Sequence, residues 1–117
     1  MKLPLLLGWL VALTASVSAQ TVPTVPSTEA KDHVGQYAHV FGTVAEVHLS
    51  TKGDAFIRFD QPFPDADFSA VIFAEDRQKF GDITHLQGKT ITVTGTIRLF
   101  HDKPEVFLKG RQQLEMK

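Results

Sequence analysis

Cysteine is absent from this chain. That absence excludes disulfide staples, thiolate zinc sites, thiol catalysis and redox exchange. Tryptophan and tyrosine occur once each, so the aromatic content rests on nine phenylalanines. With Val, Ile and Leu these must build the core, leaving one or two rings for the surface. Neither sign of charge dominates, with 12 basic against 13 acidic residues. Long apolar runs are also missing beyond Leu3 to Leu13, which falls short of the roughly 20 residues that span a bilayer.

What the chain does have begins with that short run. Lys2 supplies a positive start, Leu3 to Leu13 an apolar stretch, and Val17-Ser18-Ala19 a small-residue cleavage site. Together they read as a secretory signal peptide over residues 1–19, cleaved after Ala19. The expected location is periplasmic or secreted, with no membrane insertion after cleavage. Gln20 to Lys117 then leaves 98 residues, one small domain with 11 basic and 13 acidic side chains, a net charge of −2. Bulk charge of that sign does not hold a protein to nucleic acid or to an anionic membrane, so such binding requires a local basic patch.

Residues 20–27 read as a linker, extended because each proline of Thr21 to Pro26 fixes its own φ and biases the residue before it. Residues 28–117 read as the folded domain. Thr28 to Val34 is expected to be a short helix, capped by Ser27 or Thr28, ended by Gly35 and placed to plug one end of a barrel. Strands follow at Tyr37 to Leu49, Ala55 to Phe59, Phe68 to Phe73, the run Thr90 to Phe100, and Glu105 to Leu108. Residues 74–85 form a short helical or irregular connection, and a polar tail closes the chain. Ala38 to Leu49 and Thr90 to Phe100 share one design, a β-branched strand interrupted by Gly42 or Gly95, where a bulge or a close backbone approach is expected.

Five strands with a helical connection between the third and fourth is the order of the OB-fold, a partly open five-stranded Greek-key barrel. The specific segments are Val40-Phe41-Gly42-Thr43-Val44, Phe56 to Phe59, Gly88 to Ile97 and Lys103-Pro104-Glu105. In that order, from about Ala30 to Leu114, the chain resembles a family of small bacterial exported OB-fold domains described as nucleic-acid-binding-like or of unknown function. Such domains often carry a tyrosine and a glycine before the KPE turn. Here Phe100 and His101-Asp102 stand in their place.

In OB-folds that bind oligonucleotides, the ligand crosses the second and third strands between the loops that flank them. Transferred to this chain, that rule selects Lys52, Phe56, Arg58, Phe73, Arg98, His101 and Lys103 as ligand-binding residues. The rings would stack on bases and the cations meet phosphates. The five histidines, His33, His39, His48, His85 and His101, lack metal-ligand spacing. Asp60, Asp65 and Asp67 lie in a turn-rich loop, where aspartate commonly satisfies local backbone donors. No nucleophile elbow or phosphate-cradling glycine loop is present. The expectation is therefore a non-enzymatic binding module without cofactor or metal. Its leading partner is single-stranded nucleic acid or a similar oligomeric anion, and the alternative is a periplasmic protein or small ligand in a stress-associated role.

Overall fold

Period-two alternation becomes strand wherever the sequence carries it. A computed structural model describes residues 21–116, so the signal peptide read over 1–19 lies outside the described residues. Eight strands form: β1 (Thr24–Pro26), β2 (Tyr37–Leu49), β3 (Ala55–Phe59), β4 (Phe68–Ile72), β5 (Thr90–Thr96), β6 (Arg98–Phe100), β7 (Lys103–Phe107) and β8 (Leu114–Met116). The protein is all-β. Its hydrogen-bonded order is β6-β7-β4-β3-β2-β5-β8, with β1 beside β2. Among the described residues, eight strands thus stand where five were expected, and the order does not return on itself.

Each additional strand has a local cause. The run 90–100 is divided at the fully buried Ile97, giving β5, which pairs with β2, and β6, which pairs with β7. β1 arises from the segment read as a linker. Its prolines keep it extended, and it lies parallel to His39–Phe41 at an edge where a missing N–H is tolerated. Val25 is buried there, so this segment is packed rather than free. β8 comes from the polar tail, held antiparallel to β5 by Gln113. That side chain accepts the N–H groups of Lys109 and Gly110 at 2.7 and 3.0 Å and donates to the carbonyls of Thr94 and Phe107 at 2.9 and 3.2 Å.

The helical expectations are corrected in kind. Ser27–His33 is a 3-10 segment packed against β1, β2, β4 and β7. Neither Ser27 nor Thr28 is its N-cap, a position taken by Pro26. Ser27 is buried instead and donates its hydroxyl to Asp60 Oδ2 at 2.6 Å, across 33 residues of sequence. Gly35 ends the segment at φ +95° and gives its N–H to the Ile97 carbonyl at 2.7 Å. The connection over 74–85 contains two further 3-10 segments, Ala74–Lys79 and Thr84–Leu86.

Inward-facing residues of both halves meet in one core: Val40 and Val44 of β2, Ile57 and Phe59 of β3, Phe68 and Ile72 of β4, Ile91 and Val93 of β5, and Val106 of β7. Phe59 and Phe68 pack with ring centroids 5.0 Å apart. Full burial of such a side chain contributes roughly 1.5–3 kcal/mol, most of it offset by lost conformational entropy. Neither central glycine is a bulge. The register shift in β2 falls between Val44 and Glu46, while Gly42 pairs in register with Ile91 and Gly95 with Ala38. Close approach is the reason for both: a Cβ on Gly95 would sit 2.6 Å from Val106 Cγ1.

Candidate ligand-binding face

Opposite the core, the outward side chains of β2, β3, β4, β7 and β6 align in two rows because register places them there. One row runs Glu46, Arg58, Ser69, Glu105, Arg98, each the direct cross-strand partner of the next. The adjacent row runs His48, Phe56, Val71, Phe107. β4 is buried on both sides, so even its outward residues Ser69 and Val71 are covered by neighbouring side chains.

Over the polar row opens a cavity of about 370 Å³. Phe56, Arg58, Ser69 and Glu105 contribute from the strands, Phe63, Pro64 and Ala66 from the loop over 60–67, and Phe100, His101 and Lys103 from the β6–β7 turn. The turn has two central residues with positive φ, His101 at 53° and Asp102 at 66°, between the paired Phe100 and Lys103. That is the geometry of a type I′ hairpin, which matches the twist of the flanking strands but usually carries Asn and Gly. Phe100 and His101 stack edge to face at 4.3 Å, and both line the cavity.

Arg58 lies between two rings, its Cζ 5.3 Å from the Phe56 centroid and 5.0 Å from that of Phe63. Its Nη1 is 3.4 Å from Glu46 Oε1, and the same oxygen accepts the Phe63 N–H at 3.0 Å. That backbone N–H first, and the Arg58 guanidinium after it, hold the Glu46 carboxyl below the usual carboxylate range. Glu105 behaves in the opposite way. It is only 8 % exposed, its Oε1 has no hydrogen-bond partner, and burial pushes its carboxyl up to about 7 against the opposing charge of Arg58.

Of the seven ligand-binding residues expected from sequence, Phe56, Arg58, His101 and Lys103 line this cavity together. Phe73 and Arg98 lie beside it, joined through Phe107: the Phe73 and Phe107 centroids are 5.0 Å apart, and Arg98 Cζ is 5.6 Å from the Phe107 ring. Lys109 extends that cluster, with Nζ 6.0 Å from the Phe73 ring. Lys52 is exposed in the β2–β3 turn and is not among the cavity's lining residues. Sequence reasoning missed Phe63, Phe100, Glu105, Phe107 and Lys109. Alternation along β7, which sends Lys103, Glu105 and Phe107 to one side, was the available signal for two of them.

Lys103 also does something other than wait for a phosphate. Its Nζ donates to the carbonyls of Pro64 and Ala66 at 2.9 and 3.0 Å, tying the 60–67 loop to β7. Lys103→Met is therefore expected to destabilise the protein by about 1–2 kcal/mol, towards the lower end of hydrogen bonds to charged groups because the side chain is exposed. Amide hydrogen exchange should accelerate in residues 60–67 first. Unchanged exchange in that loop would show that the lysine does not hold it.

No family model matches the chain, and no curated protein matches it. Among solved structures, it is similar to the crystal structure of a protein from Leishmania major Friedlin assigned as an aspartyl-tRNA synthetase, with a TM-score of 0.55 and 15% sequence identity. The likeness covers 91% of this chain and 22% of that one, and it is a likeness of fold.

Proposed function

We propose that this chain is an exported, non-enzymatic OB-fold binding module that takes single-stranded nucleic acid across the outward face of β3, β4 and β7. Its observed topology supports the OB assignment. β4 and β7 run parallel, a 3-10 connection separates β4 from β5, and the single run 90–100 pairs with β2 through one half and with β7 through the other. Export rests on the leader-like sequence of residues 1–19.

One observation carries the functional reading: rings and cations interleave on the same face. Phe56, Phe63, Phe73, Phe100 and Phe107 lie among Arg58, Arg98, Lys103 and Lys109, with Glu46 and Glu105 the acids in the two rows. A protein of net acidic charge thus has a locally basic, aromatic surface, the combination that binds single strands by stacking and phosphate contact. The alternative partner, a periplasmic protein or small ligand, draws support from Arg58 and Lys103, whose polar groups are already engaged with Glu46 and the 60–67 loop.

Fluorescence anisotropy with labelled single-stranded DNA and RNA across a salt series separates the two. Saturable binding with a steep salt slope is expected. Arg98→Ala with Lys109→Ala should weaken it on the order of tenfold and flatten the slope by about 1.4, roughly 0.7 for each lost phosphate contact. Absence of binding at low salt would overturn the nucleic-acid reading and favour the alternative.

A further inference from the structure

We infer that the cavity receives one base of the bound strand and that Glu105 reads its Watson–Crick edge, selecting guanine. The inference rests on the nucleic-acid reading above and adds to it a specificity-determining residue. The cavity's volume of about 370 Å³ falls at the lower end of the ~300–1,000 Å³ typical of small-ligand sites. Phe56, Phe63 and Phe100 supply the apolar rings among its walls. Such walls suit a flat ring unstacked from its neighbours, the usual way proteins read single strands.

Glu105 supplies the edge contact. A carboxyl that is more than nine-tenths buried with one oxygen unpartnered is costly in a folded protein, and a donor on a ligand relieves it. The charged and titratable groups around it are Arg58 on β3, Arg98 opposite on β6, Lys103 on its own strand and His101 in the turn. Three permanent cations among these four argue against a cationic ligand. They leave a neutral ring with N–H groups as the complement of the carboxyl.

Base chemistry then decides among rings. An ionised carboxylate presents acceptors alone. Guanine is the base whose Watson–Crick edge offers two adjacent donors, N1–H and N2–H, whereas adenine, cytosine and thymine each place a donor next to an acceptor. A protonated carboxyl, with one donor and one acceptor, pairs with any of the four bases, guanine included through O6 and N1–H, and so confers no preference. Because the Glu105 carboxyl is displaced to about 7, preference for guanine should be strong above that pH and fade below it.

The test uses the purified protein and oligothymidylates carrying one central guanine, adenine or cytosine, compared with the unsubstituted strand by anisotropy above and below pH 7. For the wild type above pH 7, the guanine strand should bind on the order of tenfold more tightly than the others, the size of discrimination a good bidentate contact provides. Glu105→Gln, whose amide keeps one donor and one acceptor at every pH, should bind all strands with that preference gone. Equal affinity of the wild type for all strands, or a guanine preference that survives in Glu105→Gln, would overturn the inference while leaving nucleic-acid binding in place. Failure of the wild type to bind any strand at low salt would overturn the reading on which the inference stands.

Discussion

Gly42→Ala is expected to lower the thermal midpoint by about ten degrees or more, a large loss for a single added methyl group. A Cβ at this position would run into the Ser27 hydroxyl and lie 2.9 Å from Ser27 Cβ and 3.0 Å from Phe59 Cδ2. None of these atoms has room to yield. Ser27 is 2 % exposed and its hydroxyl bonds Asp60, while Phe59 is fully buried against Phe68. Overpacking costs typically 1–3 kcal/mol, and loss of a hydrogen bond to a charged carboxylate adds about 1.5–3 kcal/mol. For a domain of this size each kcal/mol corresponds to roughly 4–8 °C. Gly95→Val acts by the same route through Val106. Thermal unfolding followed by circular dichroism gives the answer, and a midpoint within two or so degrees of wild type would show that the close approach is not limiting.

Glu105→Gln should do the reverse, stabilising the protein by an amount that grows as pH rises from about 4.5 and is complete above about 7. In the folded state this carboxyl titrates at about 7 rather than at 4.5, its value in an open chain, because burial disfavours the charge. Between those two values the folded state binds more protons than the unfolded one, so stability falls as pH rises through the window. A displacement of that size corresponds to roughly 3 kcal/mol once pH has passed the folded value. The amide cannot ionise and escapes this penalty. Wild type and variant should therefore have similar midpoints below pH 4.5 and diverge progressively towards and beyond pH 7. Parallel curves across that range would show that the carboxyl is not held in a charge-excluding site.

These two positions also mark where the sequence was and was not legible. β2 and β3 were readable to the residue because both are rich in β-branched and aromatic residues and their turn at 50–54 carries Gly53. β1 was not, because TVP is as compatible with a free extended linker as with an edge strand, and only the docking of Val25 decides between them. The short 3-10 segments look helical in sequence, but none has a side-chain hydrogen bond at its N-cap in the first three cases, and tertiary packing sets their geometry. On the outward face of the sheet, period two placed Phe56 and Arg58 on one side of β3. Phe63 escaped notice because it sits in a proline-rich loop, whose path over the face depends on Lys103. Glu105 escaped for a related reason. A charged residue in a short strand reads as solvated, and its burial becomes visible only when Ser69 and Arg98 are found beside it.

The run 90–100 serves both halves of the sheet with only Ile97 between its two pairings. It is a single stave shared by two walls, so neither wall can part from it without loosening the other. The amides of β2 and of β7 should consequently gain and lose protection together, in one cooperative unit, with no separable subglobal opening between them.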